Sequence, residues 1–145
     1  MDHWKATNPA SRPGGSSHAE HRTEICKPVQ VRVENAATPF TNACSQGEVL
    51  TIPIGHMEGN YFCDPESLRE LQRNSRIVLR YVTPVGEVSA SANPNGSLDN
   101  IAGICSEGGN VVGMMPHPER SAEPELGCTD EMKIFHSIVG AMASQ

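Results

Sequence analysis

Residues 101–120 read IAGICSEGGNVVGMMPHPER. Two apolar runs, residues 101–105 and 110–115, flank the segment SEGG at 106–109, which is typical of two strands joined by a tight turn. The second run leads to His117, which stands between two prolines. Proline fixes its own φ and biases the residue before it toward extended backbone. We therefore expect a hairpin that presents His117 and Glu119 on one side of a stiff, extended segment.

The spacing of His117 and Glu119 suits proton transfer. A carboxylate can accept a hydrogen bond from one imidazole nitrogen, which fixes the tautomer and stabilises the imidazolium. The other nitrogen is then free to take a proton from a nucleophile. A His-x-Glu pattern also occurs in surface loops, where the two side chains have no joint role. On spacing alone, both interpretations stay open.

Outward from this segment the chain is rich in strands. Residues 29–34 alternate apolar and polar, which indicates a strand with one buried face. Residues 48–54 and 76–82 are also predicted strands, and Pro53 in the first of these indicates a strand end or an edge. Residues 87–92 are a candidate to pair with residues 76–82.

Two helices accompany these strands. Asp64, Pro65 and Glu66 supply a cap, a first-turn proline and a first-turn acid, and Asn74 marks the expected end of the first helix. Residues 129–131 begin the second. It carries an apolar stripe at helical spacing. The stripe comprises Met132, Phe135, Ile138, Val139 and Met142.

The N-terminal residues differ from the rest of the chain in composition and hydrophobic pattern. Residues 1–23 mix Pro, Gly, Ser, His and Asn without apolar periodicity. Such a segment cannot bury enough surface to offset the entropy lost on ordering. We expect an extraneous or disordered leader, with a genuine flexible arm as the alternative. Residues 24–145 then form part of one domain.

Composition excludes several classes of protein. The net charge of −6 and the scattered Lys and Arg residues argue against a nucleic-acid partner. No apolar run approaches the roughly 20 residues needed to cross a bilayer, and no secretory signal is apparent. The 5 cysteines are widely spaced without a Cys-x-x-Cys pair, which favours reduced thiols over disulfides or structural zinc. We expect a cytoplasmic protein without a membrane partner.

The stretch 101–120 resembles the glutaminase subunit of phosphoribosylformylglycinamidine synthase, a class I glutamine amidotransferase. The similarity runs in register over roughly residues 24–143. It includes ICKPV at 25–29, EGNYFC at 58–63, RY at 80–81, NPNGS at 93–97 and KIF at 133–135. The resemblance implies a flavodoxin-like, three-layer α/β domain. This chain corresponds to its C-terminal half only, strand-rich with two helices, so the fold is expected to be incomplete.

The resemblance also implies a function. Members of the family hydrolyse glutamine to glutamate and ammonia, and the ammonia amidates formylglycinamide ribonucleotide in de novo purine synthesis. The Cys-His-Glu triad of the family places a general base at His117 and its orienting carboxylate at Glu119. The segment 53–60 matches a loop beside the glutamine pocket, so His56 and Glu58 are candidate substrate-binding residues. Without the family, the same segment reads equally well as a surface loop.

The implied partners are glutamine, the synthetase subunit and a small accessory subunit. ATP and Mg²⁺ belong to the synthetase in this family. We therefore expect no cofactor and no metal on this chain.

The nucleophile of the family has no counterpart here. It lies in a Gly-x-Cys-x-Gly turn between a strand and a helix, where helix amides stabilise the thiolate and the oxyanion. None of the five cysteines has that setting. Cys128 follows Gly127 at a helix N-terminus, but it lies downstream of the His-Glu pair, whereas the family nucleophile lies upstream. We expect the nucleophile-bearing half to be missing and the chain alone to be inactive.

Two other interpretations stay open. The chain could be a non-catalytic fragment that binds the synthetase or complements a separate N-terminal half. His56, Glu58, His117 and Glu119 also form two His-x-Glu pairs of metal-ligand type, although the family gives a metal site no support. Asn95-Gly96-Ser97 matches a glycosylation sequon, and we interpret it as a turn with positive φ available at Gly96.

Overall fold

The computed structural model describes residues 25–56, 60–121 and 129–144. The predicted leader at 1–23, Glu58 and Cys128 lie outside these ranges. The strands are β1 (Ile25–Val33), β2 (Val49–His56), β3 (Ile77–Val82), β4 (Ile101–Cys105) and β5 (Val112–Met114). The helices are α1 (Pro65–Arg73) and α2 (Met132–Ala143). Neither of these described helices combines the length and the apolar character that crossing a membrane requires.

The five described strands form one antiparallel sheet in the order β2-β1-β3-β4-β5. An isolated antiparallel bridge joins Ile54 of β2 to Pro116, just beyond β5. The sheet therefore curls until its two outer strands meet. We call this junction the seam, and define it by Pro53, Ile54, Pro116 and His117.

Local sequence signals account for most of these elements. The Asp64 carboxylate accepts hydrogen bonds from the backbone N–H groups of Glu66 and Ser67, which caps α1, and Asn74 ends the helix. The predicted hairpin of 101–115 is confirmed by the pairing of β4 with β5. Gly96 has a φ of 72°, as expected for the turn at 95–97. Pro53 lies in β2 at the end of the strand order, where the lost N–H donor is tolerated.

Each helix contributes to a buried cluster of its own. Leu71 of α1 belongs to a cluster with Ile101 of β4, whereas Ile134 of α2 belongs to a second cluster with the adjacent Ala102. Both clusters also include residues of β3, so the two helices bury different parts of the same pair of strands.

The prediction that residues 87–92 pair with β3 is wrong. Both edges of β3 are already occupied, by β1 on one side and β4 on the other. The segment instead turns back at Thr83–Glu87, where the Thr83 N–H donates to the Glu87 carbonyl over 2.8 Å, and continues into a 3₁₀ turn at Ala90–Ala92. The Asn100 side-chain amide ties it to the strand by donating to the carbonyls of Tyr81 and Ser89.

Helix α2 meets the sheet with a face that differs from the predicted apolar stripe. The residues of α2 that are buried against the sheet are Ile134 and Ser137. Of the predicted stripe, Ile138 packs partly against the core, whereas Val139 and Met142 remain 64% and 70% exposed. The sheet therefore meets the face centred on Ile134, and the centre of the predicted stripe points away from it.

An ion pair between Lys133 and Glu48 fastens α2 beside β2 and makes its docking sensitive to pH. The hydrogen bond from Lys133 lowers the pKa of Glu48 below its usual 4.5, and the same bond raises the pKa of Lys133 above 10.5. The contribution of Glu48 to stability is therefore complete above pH 4.5 and is lost as the pH falls through the lowered pKa. That of Lys133 is complete below pH 10.5 and is lost as the pH rises through the raised pKa.

We predict that Glu48→Gln reduces the acid-induced loss of stability. The measurement is the unfolding temperature of wild type and variant at about pH 7 and about pH 3, a range that spans the titration of carboxylates. Glu107→Gln, in the exposed turn between β4 and β5, is the matched control and should lose as much as wild type. An equal acid loss in Glu48→Gln and wild type would contradict the assignment.

Candidate active site

The backbone around His117 is held by two strands. The Met115 N–H donates to the carbonyl of Ala102 in β4 over 3.0 Å, and the His117 N–H donates to the carbonyl of Pro53 in β2 over 2.8 Å. Pro116 between them is buried and forms the bridge to Ile54. The seam thus fixes the position from which the imidazole projects, as an active-site residue requires.

His117 and Glu119 lie in direct contact. Nδ1 of His117 is 2.9 Å from Oε1 of Glu119, which sits in the 3₁₀ turn Pro118–Ser121. An ionised carboxylate can only accept, so the hydrogen bond requires the proton on Nδ1 and leaves the lone pair of Nε2 free. The side chains are 31% and 60% exposed, so a reacting group can reach them. This geometry suits a general base, and the catalytic role itself stays a prediction.

The hydrogen bond predicts the tautomer of neutral His117. Glu119→Ala should move the proton population from Nδ1 toward Nε2, the tautomer that a free imidazole side chain favours in water. A two-bond ¹⁵N–¹H correlation spectrum of the neutral ring reads this directly from the two nitrogen shifts. Glu107→Ala is the control, since that carboxylate lies in the β4–β5 turn and should leave the shifts unchanged. Identical ring shifts in Glu119→Ala and wild type would contradict the contact.

The candidate substrate-binding residues are located only in part. His56 is the last residue of β2, three residues beyond the Pro53 carbonyl that holds His117. At about 3.3 Å per residue, its backbone lies roughly 10 Å along the strand from the seam. The side chain of His56 and the whole of Glu58 lie outside the described part of the chain. Their proposed contact with glutamine stays a prediction.

The described thiols lack the surroundings of a nucleophile. Cys44, Cys63 and Cys105 are free and buried. Burial raises the pKa of all three thiols, and at Cys44 the neighbouring Glu48 raises it further. A raised pKa disfavours the thiolate, the form that attacks a carbonyl.

The hypothesis of a metal site gains no support from the described part of the chain. No cluster of three or more His, Cys, Asp or Glu residues is found there that could hold an ion. His117 and Glu119 therefore have no third ligand beside them among those residues.

Two further contributions to the site were not predicted, the carbonyl of Pro53 and that of Ala102. Backbone acceptors carry no residue-type signal that a sequence could reveal.

Comparison with known families decides the class of protein. The sequence model of the CobB/CobQ-like glutamine amidotransferase domain matches residues 17–132. The chain belongs to this family. The predicted resemblance to a class I amidotransferase is thereby confirmed.

Within the family, the chain is similar to curated proteins that share one name. The amidotransferase chain is 59% identical over 133 residues to phosphoribosylformylglycinamidine synthase subunit PurQ of Koribacter versatilis, covering 92% of this chain and 58% of the relative. It is 51% identical over 121 residues to the protein of the same name from Acaryochloris marina, covering 83% and 52%. The chain thus spans a little over half the length of these two relatives.

A solved structure supports the fold. The amidotransferase chain superimposes on a chain of the PurLQS structure from Thermotoga maritima with a TM-score of 0.63 and 44% sequence identity. The match covers 81% of this chain and 48% of that one. The curled antiparallel sheet with two helices is therefore part of a class I amidotransferase fold, as predicted from the sequence.

Proposed function

We propose that this chain supplies the general base of a glutaminase that serves phosphoribosylformylglycinamidine synthase. Its reaction is the hydrolysis of glutamine, and the ammonia amidates formylglycinamide ribonucleotide. The observation that carries the proposal is the 2.9 Å contact between Nδ1 of His117 and Glu119, in a chain 59% identical to a PurQ subunit. The partners are the synthetase, which uses ATP and Mg²⁺, and a small accessory subunit.

The contact between His117 and Glu119 suits both the formation of a thioester from glutamine and its hydrolysis. Nε2 of His117 takes the proton of a cysteine thiol, and the thiolate attacks the side-chain carbonyl of glutamine. The imidazolium, stabilised by Glu119, returns the proton to the departing nitrogen, so that ammonia leaves and a thioester remains. Nε2 then takes a proton from water, the hydroxide attacks the thioester, and glutamate leaves with the thiol restored.

The thiol in this scheme comes from the part of the amidotransferase domain that the chain does not span. The described thiols are buried and have raised pKa values, which is the opposite of what a nucleophile needs. We infer that this chain alone hydrolyses no glutamine. We also place it in the cytoplasm, in keeping with three free thiols in its described part.

We assign His56 and Glu58 to the binding of glutamine. Support comes from β2, whose Pro53 carbonyl holds His117 and whose end is His56. A strand that holds the backbone of the base by a hydrogen bond and itself ends at His56 keeps the spacing of the two residues constant.

The test is an ammonia-release assay on the full chain, alone and co-expressed with the remaining part of the Koribacter versatilis relative. Each sample is measured with and without the synthetase. We expect no release from the chain alone and glutamine-dependent release from the combination. Release by the chain alone that Cys128→Ser abolishes would overturn the proposal, because the nucleophile would then be on this chain.

A further inference from the structure

The turn at residues 95–97 places an asparagine directly before an exposed glycine. Asn95 is half-buried, and Gly96 is exposed with a φ of 72°. The Ser97 N–H donates to Oδ1 of Asn95 over 3.1 Å, and it shares its hydrogen with Oδ1 of Asn93. The first of these hydrogen bonds folds the Asn95 side chain forward over the peptide group of Gly96, which is an Asx turn. The amide carbon of Asn95 is therefore held beside the backbone nitrogen of Gly96.

The two groups are suited to react with each other. Among the described residues the Gly96 N–H donates no hydrogen bond, so its nitrogen is available to attack. Glycine has no Cβ, so no side chain on Gly96 crowds the approach. A donor aimed at the carbonyl oxygen stabilises the negative charge that develops during attack, and the Ser97 N–H has this position at Oδ1 of Asn95. The reaction is intramolecular, so no entropy is lost in bringing the two groups together.

We propose that Asn95 is a site of spontaneous deamidation. The Gly96 nitrogen gives up its proton to solvent and forms a bond to Cγ of Asn95. The Cγ–Nδ2 bond breaks, and Nδ2 takes a proton from solvent and leaves as ammonia. Water then opens the resulting succinimide ring at one of its two carbonyls, which yields aspartate or isoaspartate at position 95. This chemistry needs only water as a co-reactant, and it does not depend on the glutaminase role.

Conversion to isoaspartate affects a turn that holds a buried tyrosine. The Tyr61 N–H donates to Oγ of Ser97 over 3.1 Å, and the Leu98 N–H donates to the Tyr61 carbonyl over 2.9 Å. Tyr61 is 1% exposed and belongs to the buried cluster that includes Leu71 of α1. Isoaspartate adds a methylene to the main chain at position 95 and displaces Ser97 relative to Tyr61. We therefore expect the unfolding temperature to fall as isoaspartate accumulates.

The experiment follows the folded full chain during incubation in mildly acidic and in mildly alkaline buffer. Trypsin then releases residues 81–120 as one peptide, because no Lys or Arg stands between Arg80 and Arg120. Mass spectrometry with fragmentation reads the exchange of the amide –NH2 for –OH at each asparagine of that peptide, with an unincubated sample as the zero point. Methylation by an isoaspartyl methyltransferase measures the isoaspartate fraction.

The same peptide contains two matched controls. Asn93 precedes Pro94, which has no N–H to give up, and the exposed Asn110 precedes the β-branched Val111, which crowds the attacking nitrogen. We expect Asn95 to convert at least about 10-fold faster than either control. The rate at Asn95 should be higher in the alkaline buffer, because the attacking nitrogen must lose its proton.

Gly96→Ala puts a Cβ on the attacking residue and should slow conversion of Asn95 at least about 5-fold. Circular dichroism checks its folding, since alanine is strained at the φ of 72°. If that variant does not fold, the two controls within the wild-type peptide decide. Asn95 that keeps its amide, or converts no faster than Asn110, would overturn the proposal, as would equal rates in the two buffers.

The effect on stability is measured by comparing wild type with Asn95→Gln after the same incubation, because the longer glutamine side chain closes a ring with the next nitrogen far more slowly. We expect the unfolding temperature to fall with time in wild type and to stay constant in Asn95→Gln. A constant value in wild type that has accumulated isoaspartate, or an equal fall in both, would refute the link between modification and the turn.

Discussion

His117→Ala in the reconstituted amidotransferase is expected to lower the rate of glutamine hydrolysis at least about 1000-fold, because the thiol loses its base and the leaving nitrogen loses its acid. Binding of glutamine and formation of the complex should be unaffected, since the seam holds His117 through its backbone. The measurement is kcat for ammonia release, with co-purification of the two polypeptides as the check on assembly.

Glu119→Ala should have a smaller effect, about 10- to 100-fold, because the carboxylate orients the base without exchanging the proton. It is 60% exposed, so water can occupy the vacated position at Nδ1. The double variant should be no slower than His117→Ala, since Glu119 acts through His117 and residues that act as a unit are not additive. An undiminished rate in His117→Ala would contradict the assigned role, and Glu107→Ala is the control that should leave the rate unchanged.

Ile134→Ala is expected to lower the free energy of unfolding by about 2–5 kcal/mol, because it empties a fully buried site between α2 and the sheet. Val139→Ala, on the same helix, should change it by less than about 0.5 kcal/mol, since that side chain is exposed. Both are measured by chemical denaturation of the full chain. A larger loss in Val139→Ala than in Ile134→Ala would mean that the side of α2 that carries Val139, and not the side that carries Ile134, meets the sheet.

Helix α2 shows how far the sequence was informative. The periodicity of α2 predicted an amphipathic helix, but apolar residues occur on two sides of it. A pattern with two apolar sides does not tell which one meets the sheet. Of the predicted stripe, Ile138 packs against the core, whereas Val139 and Met142 are exposed. The packing of Ile134 in the core cluster shows which side of α2 meets the sheet.

Elements with a local cause were predictable. Asp64 and Pro65 specify the start of α1 by a cap and a fixed φ, and the apolar runs around residues 106–109 specify the hairpin. The prediction for residues 87–92 failed because strand pairing depends on which strand edges are free. β3 has no free edge, because it pairs with β1 on one side and with β4 on the other.

The candidate site also has features that the sequence predicted and features that it did not. Prolines on both sides of His117 predicted an extended segment, and the structure brings Glu119 to within 2.9 Å of the imidazole. The seam that carries this segment joins Pro53 to His117 across 64 residues through a backbone hydrogen bond. Such a bond is made by backbone N–H and carbonyl groups, which nearly all residues have, so no sequence motif predicts it.

The decisive measurement identifies the polypeptide that carries the nucleophile. A glutamine analogue with an electrophilic chloroketone alkylates a cysteine held in the glutamine site, and mass spectrometry of the co-purified complex identifies the labelled peptide. We expect label on a cysteine of the complementary polypeptide, abolished by excess glutamine, and none on this chain. Glutamine-protected label on Cys128, lost in Cys128→Ser, would contradict this expectation.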